Sequence, residues 1–592
     1  MQRTQKVVLS TAKIISYGLF AIIISYLFMV SIFNTCVMCY IDEHIFYVKD
    51  FGILMVFGIA VFLLLCAFAE LRWEKAKRNI SDSTTPVSKP YGNTAYHVGT
   101  LLWFVVLLLL IFTISLRPQY DPGSVYDAAG SLLRGDFSEW QQGGYLYTFP
   151  FQNGLVLLEV PFWVLLGEKA YLGIQVYNLI LWYVAILGLC YLAKEFFGEH
   201  VSKITYVILL MFIPMWSYVT YVYGTVPGLS FSVLAMCFEH RYEKTGRWKH
   251  LLFCAICLFI AVMYKSNYEI FAIAVGIMLL LHGIKNKTWK SIVGLILVVV
   301  AVVLEIKLIP YVMHILTGAD TGNGIPMIAW VAMGLKESNI APGWYNRFTV
   351  LAYEECQYNI AAVQQRSVAS IQETLKLFAD NKDYAISFFG RKIASMWSSP
   401  DLEGFSTIGK MNVNGTLPYW MKDIFYGGGI MNTVLLLVLD VFQSMVYALV
   451  LVHLLLKRKK ITLEQIVLLT TFLGGFLFHL FWEGKCQYSI PYYVLLLPYA
   501  ASGFVEVVMH IKELLNMPKN ARFAQVYKSV TARVLGIGIA VVLICTVWNG
   551  NAIQSMIRMQ SDTGEWIYFI QNSTYWKSND FRFGELYYKQ EE

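Results

Sequence analysis

The stretch LLWFVVLLLLIFTISLRPQYDPGSVYDAAG, residues 101–130, decides the fold class. Its first half is uninterrupted apolar sequence, long enough for a helix that crosses a bilayer, which needs about twenty such residues. Its second half, from Pro118, is polar and carries two acids, Asp121 and Asp127. This change predicts a membrane protein whose chain leaves the bilayer here and enters a loop that carries candidate functional residues.

The composition of the whole chain agrees with this prediction. Of 592 residues, 57% are hydrophobic and only 14% are charged, whereas soluble domains carry about a quarter charged residues. We therefore predict an all-α polytopic membrane protein. The net charge of +7 arises from short basic clusters between apolar runs, which is typical of membrane topology, so we predict no nucleic-acid partner.

Apolar windows of membrane-spanning length predict about thirteen transmembrane helices. They lie at roughly 14–33, 51–69, 97–116, 170–193, 203–220, 224–239, 249–264, 267–283, 291–312, 431–456, 462–481, 488–509 and 531–549.

Basic connections between these windows predict the orientation. They are RWEKAKRN (72–79), EHRYEKTGRWKH (239–250), IKNKTWK (284–290), LKRKK (456–460) and IKELLNMPKNARFAQVYK (511–528). All five fall on one side if the N-terminus is cytoplasmic, and the positive-inside rule places basic loops there. The first apolar run lacks a small-residue cleavage site, so we expect it to be retained. We predict a multi-pass protein of the cell membrane.

The same topology divides the chain into five parts. They are a transmembrane hairpin (1–70), a transmembrane core (97–312) with a first extracytoplasmic loop (117–169), a large extracytoplasmic loop (313–430), the C-terminal transmembrane helices (431–549) and an extracytoplasmic tail (550–592). Two loops and the tail are predicted on the extracytoplasmic side, so we predict that the protein functions there.

The first extracytoplasmic loop begins with an amphipathic helix that ends at Gly135. Its apolar residues recur at helical spacing, and they are Val125, Ala128, Ala129, Leu132 and Leu133. Asp127 falls on the side of the helix opposite to these apolar residues. A second apolar helix is predicted at 155–167. Aspartate followed by proline is typical of a helix start, so Asp121 is expected to cap the helix with Pro122 at its first position. Capping does not exclude a role as a base at a cavity mouth.

Cysteine spacing favours packing over chemistry. Ten cysteines are scattered, mostly within apolar windows, which predicts no disulfide framework. Cys254 and Cys257 are one helical turn apart and are predicted to be core residues. Cys36 and Cys39 form a CxxC pattern without further ligands nearby, whereas zinc needs four ligands or three plus water. We therefore predict no metal and no cofactor.

The order of features in the first loop resembles that of the glycosyltransferase C superfamily, in particular its bacterial branch related to protein O-mannosyltransferases and aminoarabinose transferases. These features are a span rising to the outside, an aspartate just beyond it, an amphipathic helix ending in Gly-Asp, the aromatic-polar turn GGYLYTFPFQNG (143–154) and a second interfacial helix. The resemblance implies a glycosyltransferase C-type fold, a polyprenyl-phosphate sugar donor, and Asp121 as the base that deprotonates the acceptor. Gln152, in the turn, is included among the site residues.

Two further segments carry candidate site residues. VMYKSNYEIF (262–271) places Lys265 and Glu269 near the outer surface, where a lysine either snorkels or, as the resemblance implies, meets the donor phosphate. HLFWEGKCQYSIPYY (479–493) is similar to an acidic, basic and tyrosine cluster of the family. It contributes Glu483, Lys485 and Tyr488, although an interfacial Lys-Glu pair is also common without function.

Arg391 is a third candidate for the donor phosphate. It lies in FFGRKIASMWSSPDLEGF (388–405) with Lys392 and Trp397, and anchoring at lipid headgroups is the slightly favoured alternative.

Two departures from the family are visible. An additional hairpin (14–69) precedes the core, and the segment from Asp121 to Asp127 lacks an adjacent Asp-Glu pair, which leaves the role of Asp127 open.

The resulting hypothesis is a glycosyltransferase that moves a sugar from a polyprenyl-phosphate donor to an extracytoplasmic glycan, lipid or protein by inverting displacement. One carboxylate suffices, because the phosphate already leaves well. A transporter or flippase of lipid-linked saccharides is the main alternative, and it predicts broken helices and paired repeats. An envelope polysaccharide polymerase or ligase and a scaffold without activity are the others.

Overall fold

The computed structural model describes residues 2–38, 44–50, 52–82, 91–319, 324–412, 417–426, 430–456 and 462–516. Within these residues the chain is nearly all helical and has one antiparallel β-hairpin. Its first elements are α1 (Gln2–Phe33), β1 (Asn34–Met38), β2 (Ile45–Lys49), α2 (Gly52–Asp82), α3 (Tyr91–Ile114), α4 (Tyr120–Arg134), α5 (Tyr145–Thr148), α6 (Asn153–Leu166), α7 (Ala170–Phe197), α8 (Glu199–Leu210), α9 (Ile213–Val219), α10 (Thr225–Thr245), α11 (Trp248–Tyr264), α12 (Glu269–Asn286) and α13 (Lys290–Thr317).

The predicted large loop is itself folded into helices. They are α14 (Met327–Gly334), α15 (Phe348–Glu355), α16 (Ile360–Asp380), α17 (Lys382–Trp397), α18 (Gly404–Met411) and α19 (Tyr419–Phe425). The chain continues with α20 (Ile430–Leu456), α21 (Ile466–Phe481), α22 (Cys486–Val494) and α23 (Leu497–Leu515).

Helices lie in every predicted apolar window up to residue 509, which confirms the all-α polytopic fold class. Among the described residues, seven helical segments are long and apolar enough to cross a bilayer. The pairs α8 with α9 and α22 with α23, bent by 57° and 52°, raise the number to nine if each pair is one span. The expected thirteen spans are therefore not reproduced, partly because α11 and α21 are short. The window 531–549 and the tail 550–592 lie outside the described residues.

Ion pairs join several of the connections between helices at one end of the bundle. Lys285, at the end of α12, lies 3.1 Å from Glu243 of α10 and 2.5 Å from Glu464 beside α21, measured between Nζ and Oε1. Gln5, near the N-terminus, donates to the carbonyl of Lys285 at 2.8 Å. The N-terminus and these connections thus share an end, as predicted. The side of the membrane that this end faces stays a prediction.

A buried lysine joins the helices of the predicted large loop, α14 to α19, to the rest of the bundle. Lys392 of α17 is fully buried, and its Nζ donates to the carbonyl oxygens of Gly334 at 2.5 Å, Leu480 at 3.0 Å and Trp482 at 2.7 Å. An ammonium has three N–H donors, so these carbonyls use all of them. Burial lowers the pKa of Lys392 to about 7, whereas the three carbonyls favour its charged form. The ends of α14 and α21 are thereby held against α17.

Replacing Lys392 by methionine is expected to destabilise the protein. Lys392→Met fills similar space but leaves three carbonyls without their donor, and each buried unsatisfied group costs about 1–3 kcal/mol. We expect a lower melting temperature of the purified protein in detergent. Lys382→Met, at an exposed position of the same helix, is the control and should melt like the wild type. Equal melting of both variants would contradict this structural role.

Candidate functional site

A cavity of about 1310 Å³ lies where α12 begins, at the opposite end of that helix from Lys285. Its walls come from the start of α4, the turn before α6, the break between α11 and α12, the last turns of α13, α18 and the connection between α21 and α22. These segments are far apart in the sequence, so the cavity is created by the tertiary fold.

Seven of the nine predicted site residues line this cavity. They are Asp121, Gln152, Lys265, Glu269, Glu483, Lys485 and Tyr488. The structure thus brings together residues that the sequence distributes over four separate segments. Their chemical roles stay predictions.

Asp121 does not cap helix α4, contrary to expectation. The helix begins one residue earlier, its N-cap is Gln119, and no side chain bonds to the free N–H groups of the first turn. Pro122 is accommodated in that turn because the N–H it lacks would have no partner there. Tyr120 has φ 56°, an uncommon value for a residue with a side chain. The Asp121 carboxylate is left exposed to the cavity.

Asp127 and Arg391 lie outside the cavity lining. Asp127 Oδ1 is 2.6 Å from Arg117 Nη2, and both side chains are about half exposed. It is six residues beyond Asp121, and six residues turn a helix by about 240°, so the two acids cannot face the same way. Arg391 Nη2 is 2.6 Å from Glu337 Oε1. Each therefore has its opposite charge outside the cavity lining.

The two cavity lysines occupy matching turns. Lys265 and Lys485 both have φ −165°, and each directly precedes the first turn of a helical segment. In each turn the N–H of a tyrosine three residues on, Tyr268 or Tyr488, donates to the lysine carbonyl at 3.1 Å. The sequences are KSNY (265–268) and KCQY (485–488), a Lys-x-Asn/Gln-Tyr pattern that sequence analysis overlooked. Helix starts carry partial positive charge, so both turns favour an anion.

Lys265 is surrounded by aromatic rings. Its Nζ lies 5.0 Å from the ring centre of Tyr223 and 4.6 Å from that of Tyr488. Among the described residues, no carboxylate oxygen lies within 4 Å of this nitrogen. Burial, followed by the nearby charge of Lys485, lowers the pKa of Lys265 to about 7. An anion in the cavity would favour its charged form.

Glu403 is a cavity residue that sequence analysis did not select. Its carboxylate lies 3.5 Å from Lys485 Nζ and accepts a hydrogen bond from the N–H of Gln487 at 3.2 Å. Glu403 has φ 68° and Leu402 has φ 48°, two consecutive left-handed residues at the start of α18. Such conformations cluster at functional sites. Glu403 thus positions Lys485, and only the fold brings the two together.

Tyrosines provide neutral hydrogen-bonding groups around Asp121. Gln152 donates to the hydroxyl of Tyr223, and the Tyr488 hydroxyl donates to Glu483 at 3.2 Å. Burial, and then the charge of Asp121, raises the pKa of Tyr223, so its phenol stays protonated. These groups can hold the hydroxyls of a polar ligand.

The remaining walls are aromatic and acidic. Trp330 and Trp482 are stacked with ring centres 6.1 Å apart, and both line the cavity. Glu269 and Glu305 line it from α12 and α13, as does the exposed ring of Tyr311. Stacked indoles and carboxylates suit the apolar faces and hydroxyls of a sugar.

Potential metal ligands gather elsewhere in the described chain. Two groups have their ligand atoms within 4.8 Å of one another, Glu70 with Glu74 and His200, and Glu243 with His282 and Glu464. None of these residues lines the cavity. The eight described cysteines are unpaired, and Cys254 and Cys257 are buried as expected. Cys39 lies outside the described residues.

A match to one family model supports the resemblance seen in the sequence. Residues 161–311 match the family model of dolichyl-phosphate-mannose-protein mannosyltransferase, which confirms the predicted family resemblance over that segment. Among solved structures, the chain is similar to the archaeal oligosaccharyltransferase AglB from Archaeoglobus fulgidus, in complex with an inhibitory peptide and a dolichol-phosphate. The identity is 14% and the TM-score 0.36, and the alignment covers 76% of this chain and 55% of that one. No curated protein matches the sequence.

Proposed function

We propose that this protein is a membrane glycosyltransferase that moves a sugar from a polyprenyl-phosphate donor to an acceptor hydroxyl on the extracytoplasmic side. The observation that carries the proposal is one cavity in which the exposed carboxylate of Asp121 faces the same space as Lys265 and Lys485. A base for the acceptor hydroxyl and cations for the leaving phosphate both favour transfer from a phosphate-linked sugar. The family match over residues 161–311 supports the donor class.

The two lysine turns are the proposed site of the donor phosphate. Lys265 has aromatic neighbours and no carboxylate partner within 4 Å in the described chain, so a bound anion would compensate its charge. Lys485 is held in place by Glu403. As the glycosidic bond breaks, negative charge grows on the leaving phosphate, and both cations stabilise it more strongly than in the ground state.

Asp121 is the proposed general base. Its carboxylate accepts the proton of the acceptor hydroxyl while the acceptor oxygen forms a bond to the anomeric carbon. The bond from that carbon to the phosphate oxygen breaks on the opposite face, and the electron pair leaves with the lipid phosphate. The configuration at the anomeric carbon is inverted in this single displacement. Gln152, Tyr223 and Tyr488 can orient the sugar hydroxyls.

A transporter of lipid-linked saccharides is favoured by one observation. The bent pair α22 and α23 begins at the cavity, and broken helices with sites at their ends are typical of transporters. An exposed carboxylate beside two cations has no required role in transport, whereas transfer uses all three. Turnover of the donor separates the two functions.

Substitution of the base is the most direct test. Purified wild type and Asp121→Asn, in detergent or vesicles, are given labelled synthetic polyprenyl-phosphate sugars, and release of sugar to water or to an added hydroxyl acceptor is measured. We expect the amide variant to lose about 10²- to 10⁴-fold in kcat, the usual contribution of a general base.

Asp127→Asn is the matched control, because it changes the same residue type on the same helix outside the cavity. It should retain wild-type turnover. Equal rates for wild type and Asp121→Asn would remove Asp121 from the role of base. Donor movement across vesicles without turnover of any donor would favour the transporter.

The charge of Lys265 predicts a pH dependence. With a pKa of about 7 in the free protein, its ammonium is present at lower pH and is lost as the pH rises through 7. The kcat/KM for the donor, which reports the free enzyme, should therefore fall above pH 7. In Lys265→Arg the guanidinium stays charged, and the fall should move to higher pH.

Lys382→Arg, at an exposed position outside the cavity lining, is the control and should keep the wild-type profile. An alkaline limb that does not move in Lys265→Arg would show that another group causes it.

A further inference from the structure

The β-hairpin formed by β1 and β2 belongs to the additional N-terminal unit, and it reaches the cavity. Met38, the last residue of β1, lines the cavity, and its Sδ accepts a hydrogen bond from Ser406 Oγ at 3.2 Å. The unit is therefore more than a membrane anchor, because it supplies part of the wall.

Backbone and side-chain contacts hold the hairpin against the helices of the predicted large loop. Cys36 N–H donates to the carbonyl of Ser398 at 2.9 Å, and Ile45 N–H donates to that of Ile340 at 3.2 Å. The Tyr47 hydroxyl donates to the backbone of α17 at 3.1 Å. With one bond from each strand and one from a side chain, Met38 is presented at a defined position.

Helix α18 presents a polar face beside Met38. Ser406 and Lys410 are four residues apart and Thr407 and Lys410 three apart, so all three lie on one side of the helix. All three line the cavity. The Thr407 hydroxyl donates to the carbonyl of Glu403 at 2.6 Å. Ser406 Oγ lies 3.1 Å from the same carbonyl, so its one proton is shared between that oxygen and Met38 Sδ. Both hydroxyls keep lone pairs that can accept from a ligand.

This face adjoins the proposed base. Lys410 Nζ lies 4.4 Å from the ring centre of Tyr120, the residue before Asp121. Met411 Sδ accepts from the N–H of Gln119 at 3.2 Å. Helix α18 and the start of α4 are thus packed together, so a group bound along this face would lie next to the Asp121 carboxylate.

On the basis of the proposed function, we propose that Met38, Ser406, Thr407 and Lys410 form the acceptor end of the cavity, and that the acceptor carries an anionic group beside its reacting hydroxyl. Inversion requires the acceptor to approach from the face opposite to the leaving phosphate. Lys265 and Lys485 hold that phosphate, whereas Lys410 is a third cation placed beside the base. The acceptor anion is held by Lys410, and Met38 limits the width of this end.

A comparison of two acceptors tests the charge preference. Full-length protein is given a labelled polyprenyl-phosphate sugar with either glycerol 3-phosphate or glycerol, and the ratio of the two kcat/KM values is measured. The wild type is expected to prefer glycerol 3-phosphate. Lys410→Met should lower this ratio about tenfold, and Lys410→Arg should restore most of it. Lys422→Met, on α19 outside the cavity lining, is the control and should keep the wild-type ratio.

A substitution in the hairpin tests whether Met38 limits the width of the acceptor end of the cavity. Met38→Trp narrows the space beside α18, so KM for glycerol 3-phosphate should rise at least fivefold more than KM for the donor. Equal changes in the two KM values would show that Met38 acts on the donor or on folding, and would overturn this role.

The remaining outcomes separate this inference from the proposed function. A ratio that Lys410→Met leaves unchanged overturns the inference, including the case in which Lys410 binds the donor phosphate and affects both acceptors alike. Release of sugar to water by a wild type that uses neither acceptor also overturns it, while the donor chemistry stands. A wild type that turns over no donor, even with water, refutes the proposed function and with it this inference.

Discussion

The organisation of this protein depends on the cost of keeping ammonium groups away from bulk water. Three lysines compensate for the lost hydration with different contacts. Lys392 donates to three carbonyls and holds the helices of the predicted large loop to the bundle. Lys485 lies beside the carboxylate of Glu403. The ammonium of Lys265 lies over the ring faces of two tyrosines. The first lysine builds the scaffold, the second is positioned by it, and the third is left suited to an anionic ligand.

The same constraint explains why the cavity lies at this end of the bundle. Chain breaks before α12 and α22 expose helix starts and their N–H groups, which would be costly in lipid but are acceptable where they line a polar cavity. The helices of the predicted large loop supply part of the cavity wall, and Lys392 keeps the connection carrying Glu483 and Lys485 in contact with them. The site is therefore built from ends of membrane helices under a helical cover.

Part of the site could be predicted because its residues stand out against apolar surroundings. Asp121, Lys265, Glu269, Glu483 and Lys485 are polar groups at the ends of apolar runs, a pattern that indicates function when charge is costly. Asp127 and Arg391 share that pattern, yet each has an ion-pair partner away from the cavity. Sequence pattern alone does not distinguish a residue facing the cavity from one paired elsewhere.

The sequence by itself determined the membrane class, the positions of the long apolar helices and the end of α4 at Gly135, because hydrophobicity, periodicity and a left-handed glycine act over short distances. The tertiary structure decided that Asp121 faces the cavity, that Glu403 meets Lys485, and that Met38 of the N-terminal hairpin contacts α18. These contacts join residues far apart in the chain, and local pattern carries no information about which distant segments will pack together.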